Sequence, residues 1–318
     1  MRQSAGAPAY PKHFDGKRFF NPNGARVRGF IDLLRWLRTR RPEPSPRFVN
    51  DVEPSRPPVR VEGRELRVTL VNHSTVLLQT AGLNILTDPI WSERASPFWW
   101  IGPRRRRAPG VRWEDLPRID LVLVSHNHYD HLDLPTLRRL ADGGVRKFVV
   151  PTGLARLLNS ERIAPVHELD WGESVEVACR KIHCVPAMHF SSRGLIDRDR
   201  TLWCGFAMEA EEGIIYYAGD TSFGDHFAQI RERFGTPRLA FLPIGAYEPR
   251  WFMSAMHMGP DEAARAHSIL GAGTSIAIHH GTFQLTDEAI DTPRRVLAEC
   301  APDNSFLVLN NGESVMLP

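Results

Sequence analysis

Beyond residue 65 the chain is a succession of short apolar runs separated by turn residues. Residues 66–71 and 74–79 predict consecutive strands around Asn72-His73. A third strand, 83–87, ends in Asp88-Pro89, and the apolar run 119–124 predicts a buried fourth. Further strands are expected at 148–150, 174–179, 181–185, 239–242, 275–278 and 306–309. Residues 202–208 and 214–218 predict a hairpin closed near Glu212-Gly213. Helical spacing is expected at 134–140, 153–158, 227–234 and 292–300. Pro260 followed by Asp261 and Glu262 marks another helix start, with acids at the positive end of the dipole. Strands and helices alternate, yet many strands come as hairpins. This predicts a layered α/β body with mixed sheets rather than one purely parallel sheet.

Residues 1–64 read differently. They are rich in Pro, Arg and Gly, with one amphipathic piece at 30–37 that either packs on the body or lies on a lipid surface. Residues 41–46 predict an extended arm. This arm carries fourteen Lys and Arg against six Asp and Glu, whereas the body from residue 65 carries 26 against 31. A net +8 beside a net −5 points to contact with something anionic, phospholipid or nucleic acid, or to a solvated arm. The chain is thus expected to divide into a basic arm, 1–64, and a body, 65–318.

At 318 residues and 42% hydrophobic, the chain can bury a sizeable core. Its four cysteines, Cys179, Cys184, Cys204 and Cys300, form no CxxC pair. The first three lie in strand-like runs and are expected as buried, reduced thiols of a cytoplasmic protein. Met1 to Gly6 lead into no long apolar stretch, so no signal peptide is expected, and no run approaches the ~20 residues of a spanning helix. Any membrane contact is expected to be peripheral.

The densest chemistry is Ser125-His126-Asn127-His128-Tyr129-Asp130-His131, directly after the buried strand 119–124. Alternation along an extended segment lets His126 and His128 point the same way, while Asp130 and His131 face a second point. Other strand ends offer His189, Asp220, and His279 or His280. Ligands from four strand ends can converge on one rim of a sheet, in the number that two adjacent metal ions require. The expected assignment is His126, His128 and His189 on one ion and Asp130, His131 and His279 on the other, with Asp220 bridging. Imidazole and carboxylate suit two zinc ions, with iron or manganese as alternatives. Such a pair can hydrolyse phosphodiesters, lactones or amides.

The run HNHYDHLD resembles the metal motif of the metallo-β-lactamase superfamily, as does the order of histidine cluster, lone histidine, Gly219-Asp220-Thr221 and terminal histidine. Leu86-Thr87-Asp88-Pro89, Pro243-Ile244-Gly245-Ala246-Tyr247-Glu248-Pro249-Arg250-Trp251-Phe252-Met253 and Ile278-His279-His280-Gly281-Thr282-Phe283 resemble N-acylphosphatidylethanolamine-hydrolysing phospholipases D and their bacterial relatives. The resemblance begins near Arg18 and runs close to the end of the chain. It implies an αββα sandwich, two zinc ions, and phosphodiester cleavage to an N-acylethanolamine and phosphatidic acid. It assigns the last ligand to His279 and a functional role to His257, and it implies a homodimer. On this reading Asp130 and His257 are the catalytic residues, Asp130 orienting the attacking water and His257 serving the phosphoryl oxygen or the leaving group. Phe98, Trp99, Trp100, Trp251 and Phe252 are expected along the acyl chains, with Arg104 near the phosphate. His73 is expected to orient a neighbour, and His183 and His267 to be ordinary strand and helix residues. The rivals are a nuclease or cyclic-nucleotide phosphodiesterase, a sugar-lactone hydrolase and a metal-free scaffold. No nucleic-acid partner is expected, since the chain shows no additional RNA-binding domain.

Overall fold

The computed structural model describes residues 10–24, 27–194, 196–301 and 304–317; the start, Met1 to Gly6, lies outside them. In chain order the elements are α1 (Phe30–Thr39), β1 (Leu66–Asn72), β2 (Thr75–Thr80), β3 (Leu83–Thr87), β4 (Leu121–Leu123), α2 (Leu134–Asp142), β5 (Phe148–Pro151), α3 (Ala155–Ser160) and β6 (Val166–Leu169). There follow β7 (Ser174–Val177), β8 (Arg180–Val185), β9 (Gly205–Ala210), β10 (Gly213–Tyr217), α4 (His226–Phe234), β11 (Leu239–Pro243), α5 (Arg250–Met253), α6 (Pro260–Leu270), β12 (Thr274–Ile278), α7 (Thr292–Cys300), β13 (Phe306–Leu307) and β14 (Ser314–Leu317).

The strands build two seven-stranded sheets, ordered β14-β1-β2-β3-β4-β5-β6 and β13-β12-β11-β10-β9-β8-β7. Each is mixed as expected. In the first, β14, β1, β2 and β3 pair antiparallel, and β3 to β6 run parallel. In the second, β7 to β10 are antiparallel and β10 to β13 parallel. Strands near the sheet centres are buried on both faces: β2, β4 and β11 have no exposed residue. One face meets the other sheet through Leu66, Val68, Leu78, Phe206, Tyr217 and Phe241. The outer faces are covered by α2 and α3 over Val122, Phe148 and Val150, and by α4, α6 and α7 over Tyr216, Ala240 and Leu242. This is the αββα sandwich.

Three elements escape the apolar pattern. Strand β6 shows two exposed positions in four, β14 is an edge strand, and α5 is a single turn. The cysteines are all free, but Cys179 is exposed rather than buried, because it sits in the β7–β8 turn at φ 62° instead of in the strand. The described part of the arm is tied down at several points. His13 Nε2 lies 2.7 Å from Asp170 Oδ1, Asn21 donates to the His189 carbonyl at 2.8 Å, and Trp36 Nε1 donates to Asp287 Oδ2 at 3.1 Å. Helix α1 forms at 30–39, and its buried Trp36 packs on Phe252, Met253 and Met256 of the α5 region. Among the described residues no helix is long and apolar enough to cross a membrane.

Candidate metal centre

Four parallel-running or hairpin strands deliver side chains to one rim of the sandwich. His126, His128, Asp130 and His131 follow β4, His189 follows β8, Asp220 follows β10, and His279 follows β12. The turn between β1 and β2 adds His73. Positive φ is costly for a residue with a side chain, yet three residues at this rim adopt it: His73 at 47°, Asp88 at 34° and His279 at 60°. Gly219 sets Asp220 in place, and a Cβ there would meet the Ser125 side chain at 2.7 Å.

The ligand-type atoms converge in two groups that meet at Asp220. In the first, His126 Nε2 is 2.8 Å from His128 Nδ1, and His189 Nε2 is 3.2 Å from the same atom. Asp220 Oδ2 stands 3.9 and 3.8 Å from His126 and His189. In the second, Asp130 Oδ2 lies 3.4 Å from His131 Nε2 and 3.2 Å from His279 Nε2, and Asp220 Oδ2 lies 3.1 Å from both histidines. Asp220 therefore stands between the groups, where a bridging carboxylate belongs. His73 Nε2 is 3.0 Å from Asp130 Oδ2, which fits a residue that orients its neighbour. His280 faces away, lining a small crevice with Arg107 and Arg294.

Outer partners decide which ring nitrogen faces inward. His131 Nδ1 donates to Asp88 Oδ2 at 2.7 Å, and His189 Nδ1 to the Met256 carbonyl at 2.8 Å. His126 Nδ1 donates to Ser125 Oγ at 2.9 Å, whose hydroxyl in turn donates to Asp88 Oδ2 at 2.6 Å. Each of these rings turns its Nε2 toward the cluster, the atom whose lone pair a metal would take. Asp88 is the functional residue missing from the expected site. Its carboxylate also accepts from the Ser125 amide at 2.7 Å and the Tyr217 hydroxyl at 2.6 Å. Its position at the end of β3 was the available signal, the same signal that singles out the other ligands.

Charge separates the two groups. Burial, reinforced by neighbouring histidines, holds His126 well below its ordinary value, and brings His128 to about 3 and His189 to about 4. In the second group burial is outweighed by the carboxylates: Asp220 and Asp130 raise His279 to about 9 and lift His131 well above its usual range. Those imidazolium charges hold Asp130 and Asp220 far below the usual carboxylate range against the same burial. In the metal-free protein, protons on His131 and His279 thus neutralise two buried carboxylates. The buried Asp220 Oδ1, His131 Nε2 and His257 Nδ1 have no hydrogen-bond partner among the described residues. Orphaned donor atoms pointing into a shared space, in two groups joined by one carboxylate, fit a dinuclear metal site.

His257 is at this centre, with Nδ1 3.9 Å from Asp220 Oδ2 and its ring 4.9 Å from that of His189. Of the expected acyl-chain contacts, Phe252 lines the cavity at this centre and the others are placed elsewhere. A cavity of about 510 Å³ has His128, Asp130, Asp220 and His257 on its floor, and Leu33, Trp36, Phe252 and Met256 around it. Phe98, Trp99, Trp100, Arg104 and Trp251 are not in its lining. Phe98 and Trp99 pack against Trp100, tilted and edge-on, in an exposed loop, and Arg104 pairs with the exposed Glu93 at 3.3 Å. Trp251 turns outward under the Arg35 guanidinium. The reason is that α1 and α5 come together over the metal cluster and fill the place that the insert was expected to take. The basic block is not a free cationic patch either. Arg105 is buried and donates to the Ser92 and Ile90 carbonyls, and Arg107 joins Asp51 to Asp291.

A histidine–aspartate cluster of this kind on the strand-end rim of an αββα sandwich defines a metal-dependent hydrolase. Residues 83–280 match the family described as the beta-lactamase superfamily domain, so the chain belongs to the beta-lactamase superfamily. It is 41% identical over 266 residues to the N-acyl-phosphatidylethanolamine-hydrolyzing phospholipase D 1 of Caenorhabditis elegans, covering 78% of this chain and 75% of that protein. It is 36% identical to the mitochondrial N-acyl-phosphatidylethanolamine-hydrolyzing phospholipase D of Saccharomyces cerevisiae, covering 71% of this chain and 49% of the yeast protein. Among solved structures, a metallo hydrolase of Ignicoccus hospitalis superposes with a TM-score of 0.60 at 21% identity, covering 80% of this chain and 99% of the other.

Proposed function

We propose that the chain is a zinc-dependent phosphodiesterase of phospholipase D type, cleaving N-acylphosphatidylethanolamine to N-acylethanolamine and phosphatidic acid. The observation that carries the reading is the position of the metal centre at the floor of an apolar cavity of about 510 Å³. Hydrolysis of a small polar ester needs no such walls; a long-chain lipid does. The similarity to the worm enzyme points the same way.

His126, His128 and His189 would hold one ion, Asp130, His131 and His279 the other, with Asp220 shared. Bound zinc lowers the pKa of water toward ~7 and polarises the phosphoryl group. The protein's own residues supply the rest. Asp130, held by His73, orients the attacking water. His257, at the mouth of the cluster, donates to a phosphoryl oxygen or to the leaving alkoxide. Leu33, Trp36, Phe252 and Met256 exclude water from around the lipid chain. Helix α1, which roofs this cavity, turns Ile31, Leu34 and Leu37 to the outside beside Arg35 and Arg38. An exposed apolar face with basic flanks suits contact with an anionic lipid surface.

The test is metal content together with release of N-acylethanolamine from mixed micelles, beside a His128→Ala variant. Two zinc ions per chain, with turnover lost in the variant, are expected. Two ions without lipid turnover would transfer the reading to another phosphodiester or a lactone. No bound metal would overturn it.

A further inference from the structure

A second cavity, of about 970 Å³, adjoins the first. The two share a wall built from Arg28, Phe30, Phe190 and Arg198. Within that wall, the Phe190 ring sits 4.5 Å from the His128 ring and 5.0 Å from the His189 ring. The Arg198 guanidinium lies over the Phe190 ring, 5.0 Å from its centroid. This cation thus shares the ring with the metal-ligating histidines and lines the same cavity as His128, Asp130 and Asp220.

Arg198 is held in place by one hydrogen bond and by one loose ion pair, with Asp199. Its Nη2 donates to the Arg28 carbonyl at 3.1 Å, and its Nε is 3.6 Å from Asp199 Oδ2, longer than a hydrogen bond. Its Nη1 has no partner among the described residues. Of the two acids of the larger cavity, Asp199 accepts from the Ser191 amide at 3.3 Å besides pairing with Arg198, and Asp32 accepts from the Gly29 amide at 3.4 Å. The supporting loop is fixed by Asp197, which accepts from the Arg193 and Gly194 amides at 3.0 and 2.8 Å.

Resting on the lipid phosphodiesterase reading, we propose that Arg198 determines specificity: it takes the negative charge of an amphiphile's phosphate at the junction of the two cavities. An apolar chain then occupies the smaller cavity, and the rest of the molecule the larger. A planar guanidinium suits this task because it can give two parallel hydrogen bonds to phosphate while stacked on an aromatic ring.

The probes are dodecyl phosphate and the uncharged dodecyl maltoside, titrated calorimetrically into metal-loaded protein. Arg198→Gln is expected to weaken dodecyl phosphate about 10- to 100-fold, the usual range for a lost charge-assisted hydrogen bond, and to leave dodecyl maltoside unchanged. Arg198→Lys is expected to recover part of the loss. With the lipid substrate, KM rises and kcat holds. Equal weakening of both probes would mean that the side chain only packs on Phe190, and no weakening would mean that it binds nothing; either result overturns the proposal. If the wild type turns over no lipid while the charge-dependent difference in binding persists, the phospholipase reading fails and the role of Arg198 stands.

Discussion

Replacing Asp88 by asparagine tests how the protein prepares its second group of ligands. Asp88 Oδ1 accepts from the Ser125 amide at 2.7 Å, a donor that cannot rotate. The amide oxygen of the substituted side chain is therefore pinned there, and its NH2 falls where Oδ2 stood. That oxygen meets three donors: Ser125 Oγ at 2.6 Å, Tyr217 OH at 2.6 Å and His131 Nδ1 at 2.7 Å. The two hydroxyls can turn and accept instead. The imidazole cannot, because with Nε2 given to a metal its one proton sits on Nδ1. A metal entering the second group then binds a His131 whose Nδ1–H has lost its acceptor. Loss of an outer partner of this kind costs about 10- to 100-fold in metal affinity, or about 1.4–2.8 kcal/mol. Zinc titration against a competing chelator should resolve two affinities in the wild type. In Asp88→Asn the affinity at Asp130, His131 and His279 should fall by that factor, while the ion on His126, His128 and His189 changes less than about threefold. Two ions bound with wild-type affinity would refute the tautomer argument. An equal loss at both positions would show that Asp88 acts on the whole rim instead.

Three further outcomes are expected. In Gly245→Ala the new Cβ would stand 2.0 Å from the His279 carbonyl oxygen, so His279 must move; metal analysis should give one ion per chain rather than two, and a fully loaded, fully active variant would contradict the geometry. Trp36→Ala removes the stack on Phe252 at 5.3 Å and the bond to Asp287, and large-to-small changes of this type cost about 3–5 kcal/mol. Because Trp36 anchors the roof helix, lipid turnover should fall more than about tenfold while a small soluble phosphodiester is cleaved as before; parallel losses would argue against the roof. The His13–Asp170 pair should make stability depend on pH. Burial opposes protonation of His13, but Asp170 raises it above 6.5, and Asp170 is itself held below 3.8 by His13 against burial. The pair's contribution is thus complete between those values, fading as pH rises through the folded value of His13 and as it falls through that of Asp170. The melting-temperature gap between wild type and His13→Ala should be widest near pH 5 and narrow above pH 8; a constant gap would assign the role of His13 to its stacking on Trp171.

The metal cluster was legible because its residues announce themselves chemically and lie at strand ends, where a run of buried apolar residues stops. The two-sheet core was legible for the same reason. What the pattern missed lacks that contrast. Strand β6, with exposed His167 and Glu168, does not alternate, and α5 is too short for a helical period to show. Residues 98–104 misled in the other direction. Exposed aromatics beside four arginines look like a ligand surface, yet Arg105 and Arg107 are spent on carbonyls and carboxylates whose nearness only the fold creates. The cavity walls lie farther still from local patterns, since Trp36 and Phe252 stand more than two hundred positions apart and meet only in the folded chain.

The roof over the metal cluster belongs to the arm, while every residue of the cluster lies between His73 and His279. Part of the wall that selects the substrate therefore lies on a stretch of chain apart from the chemistry, joined to it by a few anchors such as Asp287. Drift in α1 can reshape what is admitted while the hydrolytic machinery is inherited intact. For such a molecule new substrates are most readily acquired by exchanging its opening segment.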